Sequence, residues 1–186
     1  MDLDQLAKGF AAELDRLTPL IDMGDVQWPN ARLRRRVFIG AFDWPEALTT
    51  SARAVVFRGA KVVVVSQSDG LRHIQPGGRL EPGETIEAAV RRELLEETGW
   101  TVSALKLLGF QHLQPLTPPP PGLTRRWGDM VHALFVAEAL AYNRAARDTT
   151  QIEVGSRLTP IRQALADLAQ DEALLLRAAI ERRARP

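Results

Sequence analysis

Residues 78–100 read GRLEPGETIEAAVRRELLEETGW, and this stretch supports most of what can be predicted about the chain. Pro82-Gly83 predicts a turn, after which a helix is expected to open at Glu84-Thr85 and to end at Gly99. A helix rotates about 100° per residue, so an apolar stripe at the i, i+3, i+4, i+8 spacing marks its core-facing side. The residues of that stripe are Ile86, Ala89, Val90 and Leu94.

Glutamates share this apolar face of the helix. Glu93 and Glu97 project from inside the stripe, and Glu96 lies at its edge. A buried carboxylate without a partner is costly, so these groups need a cation. Arg92 can pair with Glu96, but one guanidinium cannot neutralise three or four converging carboxylates, whereas a divalent ion could. The alternative is a solvated acidic helix with ion pairs between successive turns, which would also expose the apolar stripe to water.

The donor atoms indicate which ion would bind. Carboxylates and carbonyls are hard oxygen ligands that suit Mg²⁺, Mn²⁺ or Ca²⁺, whereas zinc prefers nitrogen and sulfur. The chain has no Cys and three scattered His. Mg²⁺ usually keeps several waters and is completed by substrate phosphates. We therefore expect Mg²⁺, with Mn²⁺ as a substitute, and a ligand that carries phosphate.

The spacing of residues 78–100 resembles the Nudix box position for position, and residues from about 50 to 170 resemble the Nudix hydrolases more loosely. This resemblance implies a divalent-metal-dependent pyrophosphohydrolase that cleaves a nucleoside diphosphate linked to another moiety, of the ADP-ribose, nucleotide sugar or NTP type. A non-catalytic nucleotide-sensing module on the same fold is the alternative, although such proteins can lose box glutamates and this chain keeps all of them. Isomerases of this fold that use a catalytic cysteine are disfavoured, because the chain has none.

The resemblance also implies residue roles. Arg92 would orient the glutamates, and Glu84 would support a second metal or its water shell. The general base would be Glu96 or Glu97, or else a glutamate on a distal loop, for which Glu153 is the candidate; the alternative for Glu153 is an exposed strand residue. The metal ligands implied are the Gly78 backbone carbonyl, Glu84, Glu93, Glu96 and Glu97.

Substrate choice in this family depends on loops outside the box. The longest candidate is residues 114–128, QPLTPPPPGLTRRWG, whose four consecutive prolines stiffen it into a cleft wall or a spacer. Arg125 and Arg126 are hypothesised to contact substrate phosphate, and Trp127 to stack on a base. Arg79, inside the box, is included as a fourth substrate contact.

Composition limits the partners. The chain has 186 residues and a formal net charge of +1, enough length for one hydrophobic core and too little charge for a strong field. The basic clusters at residues 34–36 and 182–183 are too small to indicate nucleic acid, and both are expected to be solvated. No apolar run approaches the roughly 20 residues of a membrane span, and the absence of Cys fits a reducing compartment. We expect a cytoplasmic protein with a small-molecule nucleotide substrate and no nucleic-acid or membrane partner; a homodimer is left open.

The remaining pattern predicts an α/β fold, a Nudix-type α/β/α sandwich around a mixed β-sheet. An extra amphipathic helix is expected before Pro19, and residues 62–65 are too continuously apolar for anything but a central strand covered on both faces. A helical C-terminus is expected to start with Thr159 as the N-cap and to break near Asp171. Residues 26–50 give a weak signal. Residues 1–50 are predicted to be an N-terminal helix and extension packed on the core, and 51–186 the Nudix hydrolase domain.

Overall fold

A computed structural model describes residues 2–28, 31–124, 127–147 and 153–185. Its helices are α1 (Leu3–Leu14), α2 (Ile86–Thr98), α3 (Ile161–Asp167) and α4 (Gln170–Ala184). Its strands are β1 (Ile21–Trp28), β2 (Ala31–Ile39), β3 (Thr49–Arg58), β4 (Lys61–Gln67), β5 (Arg72–His73), β6 (Gly77–Arg79), β7 (Trp100–Val102), β8 (Lys106–Pro115), β9 (Met130–Tyr142) and β10 (Glu153–Pro160). Short 3-10 turns occupy Glu46–Leu48 and Arg144–Ala146.

The strands form one mixed sheet in the order β1-β2-β8-β9-β3-β4-β10, with β5 added to β4, β6 to β3 and β7 to β9. The central pair β3 and β9 is parallel, from Thr49 opposite Val131 to Phe57 opposite Glu138. Every other pairing is antiparallel among the described strands. This confirms the predicted mixed sheet.

Helices cover both faces of the sheet. On one face α2 packs on β3 and β4 through Ala89, Val90 and Leu94. On the other, α3 and α4 cover the same strands through residues that include Leu175 and Leu176. The valines of β4 alternate between these two clusters and are all buried, which confirms the predicted central strand and the α/β/α sandwich.

Residues 21–39 contribute two strands that the weak sequence signal did not predict. Strand β2 pairs with β8 from Leu33 opposite Pro115 to Ile39 opposite Gly109, so it lies inside the same sheet as the box. Three consecutive arginines hide the alternation expected of a strand. The expectation that they are solvated was wrong for Arg36, which is 2% exposed. Each of the three also has a carboxylate partner: Arg34 with Asp22, Arg35 with Asp171 and Arg36 with Asp15.

The second basic cluster, at residues 182–183, is also paired rather than simply solvated. The Arg183 guanidinium forms an ion pair with Glu138 and lies over the Phe57 ring, 4.7 Å from its centroid. Arg182 donates from Nε to the Leu107 carbonyl at 2.9 Å. These contacts bind the end of α4 to the sheet.

The C-terminal helix begins differently from the prediction. Thr159 is not an N-cap, because it is the penultimate residue of β10, opposite Val62, and is buried. The helix α3 starts directly at the strand end, where Pro160 is the N-cap and makes no side-chain cap hydrogen bond. The predicted break is confirmed, since α3 ends at Asp167 and α4 begins at Gln170. No helix in the described ranges is both long and apolar enough to cross a membrane.

The N-terminal helix α1 packs on the α2 face of the sheet, as an amphipathic helix should. Asp2 caps it by accepting a hydrogen bond from the Asp4 backbone N–H. Phe10 is buried against Phe110, with ring centroids 5.7 Å apart, and it also meets the His112 ring edge-on. The helix therefore closes a hydrophobic cluster over β2, β8 and β9.

Phe10→Ala should lower the free energy of unfolding by about 3 kcal/mol, because it removes a buried aromatic ring and leaves a cavity. Leu17→Ala is the matched control, since Leu17 is 40% exposed and its truncation should cost well under 1 kcal/mol. Chemical denaturation of both variants measures the difference. Equal stabilities would show that α1 does not contribute to the core.

Candidate active site

Helix α2 carries the glutamates, and its two ends are fixed as the sequence predicts. Thr85 is the N-cap, with Oγ1 accepting from the Ala88 backbone N–H at 3.2 Å. Gly99 ends the helix with φ of 77°, a left-handed conformation that favours glycine. Ala89, Val90 and Leu94 of the apolar stripe are buried on the sheet and Ile86 is half-buried, while Glu93 and Glu97 are 9% and 4% exposed. Their positions confirm the predicted face of the helix.

The Arg92 guanidinium joins three of the glutamates. Its Nε and Nη2 donate to the two carboxylate oxygens of Glu84 at 3.0 and 2.9 Å. Its Nη1 donates to Glu93 Oε1 at 2.9 Å and to Glu96 Oε2 at 3.2 Å. Nη2 also donates to the Arg79 backbone carbonyl at 3.0 Å. Arg92 therefore ties the loop before α2 to the carboxylates of the helix.

The pKa shifts of these groups show that the Arg92 guanidinium stabilises the ionised forms of Glu84 and Glu93 to different extents. The pKa of Glu84 is lowered, mainly because its carboxylate accepts hydrogen bonds from Arg92. The pKa of Glu93 is raised, because burial outweighs the hydrogen bond and charge of the same guanidinium. The pKa of Arg92 itself is raised by its glutamate partners. Arg92 therefore does not fully offset the cost of burying the Glu93 carboxylate, and a further cation nearby would stabilise its ionised form.

The glycines before the helix allow close contact between the loop and the carboxylates. Gly77 donates its backbone N–H to Glu97 Oε2 at 2.9 Å. A Cβ on Gly78 would lie 2.3 Å from the carboxyl carbon of Glu93, so any larger residue would displace that carboxylate. The Gly78 carbonyl accepts from the Ser51 hydroxyl at 2.7 Å, which fixes its orientation. The backbone of Gly77 therefore lies against the Glu97 carboxylate, and that of Gly78 lies against the Glu93 carboxylate.

The other predicted site residues are more scattered. Arg79 lies on β6 and is exposed. Trp127 is half-buried and donates its indole N–H to the Thr117 carbonyl at 2.9 Å, inside its own loop. Arg125 and Arg126 lie outside the described residues. The backbone of Glu153 begins β10 opposite Gln67, while its side chain is outside the described part.

A cavity of about 450 Å³ lies on the α4 side of the sheet, next to this site. Its walls are partly apolar, from residues such as Leu33 and Leu113, and partly polar. The polar lining includes Arg53, His73, Gln75, Gln111, His132 and Glu172. None of these polar residues is among the site residues predicted from the sequence. The signal available was a set of polar side chains within apolar strand and helix patterns.

Burial shifts the pKa values of three ionisable groups that line the cavity, His73, His132 and Glu172. Burial lowers the pKa of His73 to about 4, with a smaller contribution from the charge of Arg53. Burial also lowers the pKa of His132 well below its usual value. The pKa of Glu172 is raised by burial, which outweighs its hydrogen bonds from Ile74 and Gln75. The cavity therefore offers side-chain amides and imidazoles that can form hydrogen bonds, together with charged groups such as Arg53 and Asp171.

Three proteins illustrate what the chain resembles. It is 61% identical to the "Oxidized purine nucleoside triphosphate hydrolase" of Danio rerio over 33 residues, 18% of this chain and 21% of that protein. The Bacillus subtilis pyrophosphohydrolase BsRppH has a TM-score of 0.57 at 18% identity, covering 88% of this chain and 95% of that one. The NUDIX domain of Shewanella oneidensis NrtR, complexed with ADP ribose, has a TM-score of 0.52 at 22% identity, over 76% and 94% of the two chains.

The structural similarities are at low identity and show the fold alone. The chain aligns over less than half the length of the curated relatives it matches. The family model of the NUDIX domain matches residues 47–179, which is well over half of the chain and includes the whole of the glutamate site. The chain belongs to the NUDIX domain family.

Proposed function

We propose that the protein hydrolyses the phosphoric anhydride of a nucleoside diphosphate linked to another moiety, in a reaction that depends on a divalent metal. The observation that carries this proposal is the convergence of Glu84, Glu93 and Glu96 on Arg92. Glu97 lies beside them on the Gly77 backbone. Such a concentration of carboxylates has little value for stability alone, since unpaired buried charges are costly.

A divalent cation fits this site by the chemistry of its donors. The Gly78 carbonyl, Glu93, Glu96 and Glu97 offer only oxygen, and Mg²⁺ and Mn²⁺ prefer oxygen. In the part of the chain that the structure describes, no three acidic or histidine side chains are gathered as a ready-made metal cage, and three of the box carboxylates are drawn onto Arg92. The raised pKa of Glu93 and the close approach that Gly78 permits both favour an added cation. Mg²⁺ is the proposed ion, with Mn²⁺ as a substitute.

The bound metal would screen the charge of the pyrophosphate and lower the pKa of a water molecule. The protein supplies the geometry. Arg92 holds Glu93 and Glu96 in place, and the Ser51 hydroxyl fixes the Gly78 carbonyl. Glu84 would belong to a second ion or its water shell. The proton released by the attacking water would pass to a nearby carboxylate, for which Glu96, Glu97 and Glu153 are the candidates.

The other predictions about the whole protein remain proposals. A small-molecule nucleotide is the proposed partner, without nucleic acid or membrane, and a homodimer is left open. Arg79, Arg125, Arg126 and Trp127 stay hypothetical substrate contacts. A cytoplasmic location and a boundary near residue 50 are also proposals.

A substrate panel tests the proposed activity. ADP-ribose, a nucleotide sugar, a dinucleoside polyphosphate, and an ordinary and an oxidised nucleoside triphosphate would each be incubated with Mg²⁺, Mn²⁺ or EDTA, and the products separated by ion-exchange chromatography. We expect metal-dependent cleavage of an anhydride bond in at least one substrate and no cleavage with EDTA. Nucleotide binding without turnover would favour the non-catalytic nucleotide-sensing alternative, and turnover unaffected by EDTA would refute the metal-dependent mechanism.

A further inference from the structure

The cavity on the α4 side of the sheet and the glutamate site on the α2 side are separated by the backbone of residues 76–77. Gln75 lines the cavity, and only Pro76 separates it from Gly77, whose N–H donates to Glu97 at 2.9 Å. Arg53 also lines the cavity and is the strand partner of Gly77. The two sites are therefore close enough for a single nucleotide to extend from the glutamates to the cavity.

Three polar side chains of the cavity form a directional hydrogen-bond chain. Glu172 is buried and accepts from the Ile74 backbone N–H at 3.0 Å and from Gln75 Nε2 at 2.6 Å. Gln75 Oε1 in turn accepts from Gln111 Nε2. Both glutamines are buried, 5% and 4% exposed. The three side chains come from α4, from the segment between β5 and β6, and from β8.

The chain has a fixed polarity because a primary amide carries its donor and its acceptor on opposite branches. Glu172 accepts at both oxygens, so Gln75 must turn its NH₂ towards Glu172 and its carbonyl towards Gln111. Gln111 must then turn its NH₂ towards Gln75. Its carbonyl oxygen accepts no hydrogen bond from any group within the described ranges, and Gln111 lines the cavity. The chain thus presents an acceptor to a ligand.

We propose that the cavity holds the nucleobase of the substrate and that Gln111 Oε1, oriented by Glu172 through Gln75, selects a base that offers an amino group there. This inference rests on the proposed function, because it takes a nucleotide as the ligand. The apolar walls formed by Leu33 and Leu113 suit the face of a heterocycle, and the amide of Gln111 suits its edge. A base with a carbonyl at the same position would oppose two acceptors and leave both without a donor.

Adenine and hypoxanthine nucleotides give a matched pair of probes, since the amino donor at C6 of adenine is a carbonyl acceptor in hypoxanthine, and the adjacent N1 changes from an acceptor to an N–H donor. Titration calorimetry with ADP and IDP should show that wild-type protein binds ADP tighter by about tenfold to a hundredfold, the usual effect of leaving a buried polar group unpaired. Binding requires no turnover, so the measurement is independent of the hydrolytic step.

Glu172→Gln tests the chain directly because it should reverse the polarity. The new amide must turn its carbonyl to the Ile74 N–H, so its NH₂ faces Gln75, which then rotates and forces Gln111 to present NH₂ to the cavity. The ADP to IDP preference should fall at least tenfold and pass to IDP. Gln111→Leu, which removes the group that contacts the base, should bring the preference close to one. Thermal melts would establish that both variants are folded.

Asp22→Asn is the control, since Asp22 pairs with Arg34 at 2.6 Å and is outside both the cavity lining and the chain of amides. It should keep the wild-type preference. The proposal is overturned if wild-type protein binds neither nucleotide or binds both equally, or if folded Glu172→Gln keeps the wild-type preference. An ADP preference that reverses in Glu172→Gln, found together with no hydrolysis of any substrate, would support this inference and count against the proposed function alone.

Discussion

Glu97→Gln should lower the rate of anhydride hydrolysis by about 10²- to 10⁴-fold while leaving the unfolding free energy close to that of wild type. Glu97 is buried, and its Oε2 accepts from the Gly77 N–H at 2.9 Å. The amide oxygen of glutamine can keep that hydrogen bond, so the loop before α2 should hold its position. What the variant loses is the negative charge available to a metal or to a proton from water.

The control for this variant is Glu87→Gln on the same helix. Glu87 is exposed and pairs with Arg91 at 2.9 Å, on the side of α2 away from the site. Its neutralisation should change the rate by less than twofold, since surface ion pairs contribute little. Steady-state kinetics and denaturation curves of both variants would be compared with wild type. A fully active Glu97→Gln protein would refute its role in the site.

Gly78→Ala should lower the rate by about 10²-fold with little loss of stability. The added Cβ would lie 2.3 Å from the Glu93 carboxyl carbon, so the carboxylate must move. That carboxylate is the far end of a flexible side chain, and its displacement is cheap for the fold. A displacement on the order of 1 Å in a catalytic site is costly for the rate, because reacting groups must be held in near-attack geometry.

Gly77→Ala is expected to lower stability, unlike Gly78→Ala. The two variants therefore separate an effect on the position of Glu93 from an effect on the fold. Its Cβ would lie 2.3 Å from the Ala52 backbone oxygen, and its φ of 139° is unfavourable for alanine. Backbone must shift in that variant, so we expect destabilisation of more than about 1 kcal/mol. Kinetics together with thermal unfolding would distinguish the variants. Normal activity in Gly78→Ala would show that the position of Glu93 is unimportant for turnover.

The helix of the glutamate site could be predicted from sequence because its information is local. Turn, N-cap, apolar stripe and terminal glycine all lie within residues 78–100, and each constrains the same helix. The convergence of Glu93 and Glu97 on one face follows from helical periodicity alone. Strand β4 was equally predictable, since a continuous apolar run of its length needs cover on both sides.

The failures have a common physical cause, which is that tertiary contacts override a local pattern. Three arginines mask β2, and their ion-pair partners Asp15, Asp22 and Asp171 come from the C-cap of α1, from β1 and from α4. Thr159 has the chemistry of an N-cap, yet its pairing with Val62 keeps it in a strand.

The cavity was missed for the same reason. Gln75, Gln111 and Glu172 meet only after folding, from positions that are 36 and 97 residues apart. No spacing rule links them, and each one alone is an ordinary polar residue within an apolar pattern. The proposed recognition of the base therefore depends on tertiary contacts that have no local signal in the sequence.

The central claim is that the carboxylates around Arg92 bind a divalent metal, and Mn²⁺ binding tests it most directly. Titration of wild-type protein and Glu97→Gln with Mn²⁺, with free ion measured by electron paramagnetic resonance, needs neither substrate nor turnover. We expect wild-type protein to bind Mn²⁺ and the variant to bind it at least about tenfold more weakly. Equal Mn²⁺ affinity in the two proteins, or no binding to wild type, would contradict the claim.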